Sequence, residues 1–194
     1  MTRDPWPRRA GSSRSGLARC PELDYGWIMS FPARYLELAE KAFGNDRDPI
    51  EAVSAHAAAL FDVPVIVWEG DAQTFAFSFI SRSAEELLGH SATRWTGEPA
   101  FWAESVVHPD DRDDAVAYCA LATAKCADHA FTYRARAADG RVVWLADYVR
   151  VIRGARGVAD RLRGIMIDVT DAVVGEPAWR MPTREALTDG APAR

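Results

Sequence analysis

Apolar residues recur at three- and four-residue spacing in two segments near the start of the chain, and this period predicts amphipathic helices. The first helix is predicted from Phe31 to Phe43, where Gly44 ends it. The second begins at Asp48 and Pro49, which suit a helix cap and a first helical position. It carries an apolar stripe of Ile50, Val53, Ala57 and Leu60. An amphipathic face usually packs on its own domain, but this spacing also suits a two-helix seam, so we expect the stripe to form a homodimer contact.

Farther along, the hydrophobic period shortens to two residues, which predicts β-strands. Gly70 to Gln73 forms the turn between the first two strands, and Asp139-Gly140 is a strong hairpin signal between the next two. Gly154 and Gly157 mark the turn that precedes the last strand. The predicted strands cover residues 63–69, 75–79, 131–136, 141–152 and 162–169.

Helix signals separate the second strand from the third. Ser83–Glu86 is a capping box that opens a short helix, which Gly89 ends. The acidic segment Asp110–Asp114 favours the positive end of a longer helix, which we expect to run to about Lys125. Strands and helices segregated in this way predict an α+β domain whose intervening helices cover one face of the sheet.

Composition places the chain among ordinary globular proteins. Its 194 residues are 48% apolar and 26% charged, which suits a single domain. Residues 1–28 hold five arginines against three acidic residues and show no apolar period, so we expect a disordered basic arm. The leading helices then occupy residues 29–61, the domain residues 62–171, and a C-terminal tail residues 172–194.

Charge, hydropathy and cysteine content restrict the classes of partner. The formal net charge of −5 disfavours nucleic acid, whose binding depends on lysine and arginine. No apolar run approaches the roughly 18 residues that span a bilayer, so we expect no membrane contact. Cys20, Cys119 and Cys126 are odd in number and form no Cys-x-x-Cys pair, which argues against disulfides and structural zinc and favours the cytoplasm.

The sequence contains no common catalytic motif. It has no glycine-rich phosphate loop, no Gly-x-Ser-x-Gly elbow and no His-Glu-x-x-His metal helix, so we predict neither catalytic residues nor a metal site. One carboxylate, Asp147, is flanked at two-residue spacing by Leu145 and Val149 and is the one clear polar candidate for a pocket. Because carboxylates are rarely buried, we predict instead that Asp147 is exposed on the outer face of its strand.

Five groups of residues, each weak alone, together resemble a PAS sensory domain of the subclass typical of bacterial histidine kinases and diguanylate cyclases. The groups are Phe79-Ile80-Ser81-x-Ser83-x-Glu85-Glu86-Leu87-Leu88-Gly89-His90; Phe101-Trp102; Val107-His108-Pro109-Asp110-Asp111-Arg112; Tyr133-Arg134 with Asp139-Gly140-Arg141-x-x-Trp144; and Gly164-x-x-x-Asp168-Val169-Thr170. The similarity covers about residues 61–171. It implies a five-stranded antiparallel sheet of order 2-1-5-4-3, with helices on one face, in a module of signal transduction.

The resemblance also bears on cofactors. Haem-binding PAS domains usually place the axial ligand in the longer helix, and all the histidines here lie outside it. They are His56, His90, His108 and His129. The flavin photoreceptors of the family use a cysteine before that helix, whereas no cysteine occurs between Cys20 and Cys119. We therefore expect a colourless protein that holds neither haem nor covalent flavin.

Two sets of residues are candidates for function. In PAS sensors the end of the last strand couples the core to an output, which implies that role for Asp168 and Thr170; their alternative role is turn capping. Large apolar residues of the interior either fill a core or line a ligand pocket, and the sequence leaves both open. These are Val67, Phe79, Leu88, Trp95, Trp102, Val106, Val116, Cys119, Leu145 and Met166.

The sequence therefore predicts a non-catalytic PAS-type module in the cytoplasm. It would sense a small apolar ligand or contact a separate histidine kinase or regulator. A small α+β enzyme with a pocket between sheet and helices is one alternative, and a purely structural dimerisation module is another.

Overall fold

A computed structural model describes residues 33–173, which fold around one antiparallel sheet. The strands are β1 Val65–Asp71, β2 Phe77–Ile80, β3 His129–Arg136, β4 Val142–Arg153 and β5 Ala159–Asp168. They are hydrogen-bonded in the order β2-β1-β5-β4-β3, with every neighbouring pair antiparallel. This confirms the predicted α+β class and strand order.

Within residues 33–173, six α-helices and one π-helical turn surround the sheet. They are α1 Ala33–Phe43, α2 Ile50–Leu60, α3 Ser83–Leu88, α4 Ala92–Gly97, the π-helical turn Trp102–Val106, α5 Arg112–Ala124 and α6 Thr170–Val173. None of the helices between residues 33 and 173 is long and apolar enough to span a bilayer. The predicted arm 1–28, and residues 174–194 of the predicted tail, lie outside the described residues.

The pleat of the sheet divides its side chains between two apolar clusters. On the inner face, Ile66, Leu145 and Met166 belong to one cluster with residues of α3, α4, the π-helical turn and α5. On the outer face, Ile165 and Ile167 belong to a second cluster with α1 and α2. The sheet is therefore covered on both faces within one chain.

The leading helices correct the predicted dimer seam. Ile50, Val53 and Ala57 are buried on the outer face in the same cluster as Ile165, and Leu60 is partly buried beside them. The stripe thus packs on its own sheet and is not a free surface for a second copy. The physical reason is that β5 points large isoleucines outward, and a covalently attached helix covers them at a lower entropic cost than a separate molecule does.

The predicted capping residues also differ in detail from the structure. Asp48 does not cap α2; its Oδ2 accepts a hydrogen bond from the Asn45 backbone N at 3.0 Å and so closes the loop between α1 and α2. Ser83 is the first residue of α3 rather than its cap, a position held by Arg82. In both places the observed cap lies one residue away from the predicted one: Pro49 instead of Asp48, and Arg82 instead of Ser83. Sequence patterns commonly misplace helix ends by this much.

One buried arginine joins the loop before α2 to the sheet. Arg163 on β5 is 2% exposed and points to the outer face. Its Nε donates to Glu69 Oε2 at 2.8 Å, and its Nη2 donates to the Asp48 carbonyl at 2.7 Å. The outer face therefore combines apolar contacts with a polar anchor that fixes where the leading helices sit.

The placement of α2 predicts the effect of a charge at its buried stripe. Val53→Asp puts a carboxylate between α2 and the sheet, and we expect it to lower the free energy of unfolding by at least about 3 kcal/mol. Ala55→Asp is the matched control, because residue 55 is exposed on the same helix and should change stability by less than about 0.5 kcal/mol. Urea unfolding of both variants measures the difference. A folded and equally stable Val53→Asp variant would show that α2 does not pack here.

Candidate functional site

Three neighbouring strands meet at the centre of the inner face through one indole ring. Trp68 on β1 pairs with Gly164 on β5. A Cβ atom at residue 164 would lie 1.9 Å from Cε2 of Trp68, so the ring lies directly over this glycine. Because residue 164 has no side chain, the indole crosses β5 and reaches β4, where its Nε1 donates a hydrogen bond to Asp147 Oδ1 at 3.1 Å.

Asp147 is buried, which corrects the predicted exposed position on the outer face. It is 1% exposed, and it lies on the same side of β4 as Leu145 and Val149. The two-residue alternation of a strand fixes this side, since neighbours two positions away share a face. Burying a carboxyl group is costly, and the hydrogen bond from the Trp68 indole offsets part of that cost here.

The environment of Asp147 favours its protonated form. Burial raises the pKa of this carboxyl to about 8, and the Trp68 hydrogen bond opposes part of that rise. The ionisable groups that face it are the Cys119 thiol on α5 and the Tyr133 hydroxyl on β3, and burial raises the pKa of both above their ordinary values. Near neutral pH these three buried groups therefore carry little charge.

A small cavity lies beside Asp147 between the sheet and the helices. The space open to the centre of a water-sized sphere is about 20 Å³, which is room for a very small molecule or group. The described residues of its wall are mainly aromatic and acidic, and none of them is a lysine, arginine or histidine. The lining residues are Trp68, Gly70, Asp71, Phe75, Phe77, Trp102, Cys119, Phe131, Asp147 and Leu162.

A second cavity adjoins the first. It measures about 60 Å³ by the same criterion, and both cavities are bounded by Phe75, Phe77 and Trp102. Phe75 has a φ of 58°, and Ala100, on the far wall of the second cavity, has a φ of 60°. Non-glycine residues seldom adopt these left-handed angles, so the backbone on both sides of the second cavity is held in an unusual conformation.

The predicted interior residues divide between the two faces. Trp102 and Cys119 line the first cavity, and Trp95 and Trp102 line the second. The others on the inner face pack in the core without lining the first cavity: Leu88, Val106, Val116, Leu145 and Met166. Val67 and Phe79 were predicted to point inward and instead lie on the outer face with the leading helices. Four consecutive residues of β1 are buried, so apolar character alone does not show which of them points inward.

Sequence reasoning missed most of the cavity wall. Trp68, Phe75, Phe77 and Phe131 line it and were not among the candidates. Alternation gives a usable signal for Phe131, which shares a face with Tyr133 on β3. No comparable signal exists for Phe77, because β1 and β2 shift their register between Glu69 and Gly70.

The remaining cysteines and histidines have structural surroundings. Cys119 and Cys126 are both buried. Burial lowers the pKa of His129 to about 4, and its Nδ1 donates to the Ala127 carbonyl at 3.0 Å. His90 Nε2 donates to the Arg136 carbonyl at 3.0 Å. Within residues 33–173, no three His, Cys, Asp or Glu side chains are grouped so that they could hold a metal ion.

The end of β5 is tied to the strand that carries Asp147. Asp168 Oδ1 accepts hydrogen bonds from the backbone N and the hydroxyl of Thr170, at 2.9 and 2.6 Å. The Thr170 Oγ1 in turn accepts one from the Trp144 backbone N at 3.0 Å, and the Trp144 carbonyl accepts one from Val169. Trp144 lies three residues before Asp147 on β4, so the backbone of this strand connects the residue beside the cavity to the hydrogen bonds at the start of α6.

Comparison with known proteins identifies the family to which the chain is similar. Residues 77–166 match the family described as PAS fold. The N-terminal domain of a diguanylate cyclase with a PAS/PAC sensor from Marinobacter aquaeolei is 34% identical, over 56% of this chain and 97% of that domain, with a TM-score of 0.52. None of the curated proteins is significantly similar to the chain in sequence.

Two more distant structures share the fold. A domain of a histidine kinase assigned to light and redox sensing, from Haloarcula marismortui, is 20% identical over 56% of this chain and 92% of that chain, with a TM-score of 0.51. A PAS domain from Colwellia psychrerythraea is 20% identical over 61% of this chain and 98% of that chain, with a TM-score of 0.50.

The crossing of Trp68 over Gly164 predicts a steric effect. In Gly164→Ala the new methyl group occupies the position of the indole, so the ring must leave Asp147, and we expect the free energy of unfolding to fall by roughly 3 kcal/mol. Gly97→Ala is the matched control, because a Cβ there meets nothing within 4 Å and should leave stability within about 1 kcal/mol of wild type. Chemical denaturation compares the two. Equal stability of both variants would contradict this position of the indole.

The raised pKa of Asp147 predicts a specific dependence of stability on pH. The folded protein keeps this proton up to about pH 8, whereas the unfolded chain loses it near pH 4, so its contribution to stability falls as pH rises through this range. Relative to Asp147→Asn, the free energy of unfolding of the wild type should drop by up to about 1.4 kcal/mol per pH unit and level off above pH 8. Urea unfolding between pH 5 and 9 measures the slope.

The control for this slope is Asp114→Asn, which removes an exposed carboxylate from the first turn of α5. Its difference from wild type should stay constant over the same pH range. A constant difference for Asp147→Asn as well would show that Asp147 is ionised in the folded protein at neutral pH.

Proposed function

The chain belongs to the PAS fold family, and from this premise we propose that it is a sensor module that takes up a small molecule in the cavity beside Asp147. The observation that carries the proposal is the position of this cavity. It lies over the central strands of the sheet, and its wall includes side chains from β1, β3, β4, β5 and α5. A molecule bound there would lie next to residues of these four strands and of α5.

Uptake of a ligand acts on the output through β4. A group that binds at Asp147 competes with or strengthens the Trp68 hydrogen bond, and either change displaces β4 relative to β1 and β5. The Trp144 backbone on β4 holds Thr170 and Val169 at the exit of β5. Asp168 and Thr170 are therefore proposed as the output residues, and the segment after α6 is proposed to pass the signal on.

The output is proposed to act on a separate signalling enzyme or regulator. The 34%-identical relative is a domain of a diguanylate cyclase, and a more distant neighbour is a domain of a histidine kinase. We place the protein in the cytoplasm, a location supported by the free, buried thiol of Cys119.

Catalysis by the domain itself is the second candidate. Asp147 faces the cavity, and the pKa of its carboxyl is raised, as is typical of a general acid. A reaction needs a partner group near it. Cys119 is neutral, and the carboxylate of Asp71 is engaged by the backbone of Gln73 and Thr74 in the β1–β2 turn. We therefore favour binding without catalysis.

The sensor proposal predicts a response at a distance, with xenon as an uncharged probe. Under xenon pressure, amide NMR shifts should change saturably at the cavity residues and also at residues 168–171. In Thr170→Ala, which removes the acceptor for the Trp144 N–H, the cavity shifts should persist while the distant ones diminish. Thr93→Ala, an exposed threonine on α4, is the control and should behave as wild type.

Two results would contradict the proposal. An absence of saturable shifts at the cavity residues would show that the cavity takes up no molecule. Distant shifts of unchanged size in Thr170→Ala would show that the response does not pass through the hydrogen bond to Trp144.

A further inference from the structure

The charge and shape of the first cavity restrict what binds there. Among residues 33–173, the side chains of two acidic residues, Asp71 and Asp147, belong to its wall, and no basic side chain does. Asp71 lies at the exposed end of β1, whereas Asp147 lies deep in the interior. From the described residues, a ligand therefore meets the Asp71 carboxylate at the exposed end and the oxygens of Asp147 in the interior, and no cationic side chain.

Asp147 has hydrogen-bonding capacity beyond the bond it makes. A carboxylate has two oxygens and about four acceptor positions. Among the described residues, Asp147 receives one hydrogen bond, from the Trp68 indole to Oδ1. Buried carboxylates are costly unless they are well hydrogen-bonded or paired with a cation, so this residue is suited to a ligand that brings a donor.

Aromatic rings form most of the remaining wall. Trp68 and Phe77 have ring centroids 5.1 Å apart, and Trp102 and Phe131 have centroids 6.2 Å apart. Phe75 completes the set. The faces of such rings attract organic cations, and a carboxylate surrounded by aromatic rings is a common arrangement for binding ammonium groups.

On this basis, and resting on the proposed sensor function, we propose that the cavity binds a small organic cation, a short-chain protonated amine whose ammonium group pairs with Asp147. The alkyl part would lie among Phe75, Phe77 and Trp102, which separate this cavity from the second, larger one. With only about 20 Å³ around Asp147, the charged end must be a primary or secondary amine rather than a bulky quaternary group.

The proposal predicts selectivity for charge at constant size. We take n-propylammonium as the probe and 1-propanol as its neutral counterpart, and measure dissociation constants by amide NMR titration at pH 8.5. The ammonium should bind at least about tenfold more tightly than the alcohol in wild type. In Asp147→Asn the two should bind equally, while Asp114→Asn, with the same change in charge at an exposed site, should keep the selectivity.

The affinity for n-propylammonium in the same titration should also depend on pH. Below about pH 8, Asp147 must release its proton to pair with the ammonium, so the affinity for n-propylammonium should fall towards tenfold per pH unit. The other titratable groups that face Asp147, Cys119 and Tyr133, stay protonated over this range because burial raises the pKa of each. The affinity for 1-propanol should not depend on pH.

The outcomes separate this proposal from the sensor function. Equal affinities for the two probes in wild type, or selectivity that survives in Asp147→Asn, overturn the cation assignment, and the sensor proposal stands if xenon still occupies the cavity. Failure of both xenon and n-propylammonium to bind overturns both. Binding of 1-propanol to Asp147→Asn shows that the cavity of this variant is intact.

Discussion

The hydrogen bond from the Trp68 indole to Asp147 is the interaction on which the inner face of this domain depends. It joins β1 to β4 across β5, and it requires that residue 164 carry no side chain. It gives the buried carboxyl a donor, which offsets part of the cost of removing that group from water. Gly164, Trp68 and Asp147 thus determine the position of the indole ring and of the first cavity beside it.

The outer face depends on a different combination of forces. Apolar burial by α1 and α2 covers the isoleucines of β5, and the hydrogen bonds of Arg163 to Glu69 and the Asp48 carbonyl fix the position of the helices. Arg163 and Gly164 are neighbours on β5 and face opposite sides of the sheet. This strand therefore carries the arginine that anchors the leading helices on the outer face, and the glycine that makes room for the Trp68 ring on the inner face. A shift of β5 is therefore felt on both faces.

The proposed signalling role of this small cavity rests on the same arrangement. Asp147 and Trp144 lie on the same strand, and Trp144 is bonded to Thr170 where the chain leaves the sheet. A change of charge or hydrogen bonding at Asp147 alters an interaction that spans the central strands rather than a single side chain. Because interiors are closely packed, such a local change is passed on through neighbouring groups instead of being absorbed by free space.

The sequence by itself determined the order and type of the elements, since hydrophobic periods, glycine turns and acidic helix starts act locally, and family resemblance supplied the strand order. It did not determine which faces meet. In β1 both faces are buried, so Val67 and Trp68 look alike in sequence but lie on opposite sides. The spacing of the α2 stripe also suited a dimer contact, and only the packing of the folded chain assigned it to the outer face of its own sheet. The sequence predicted an exposed Asp147 on the outer face, and this was wrong, because its burial depends on Trp68 and Gly164, which lie far away in the chain and come together in the folded sheet.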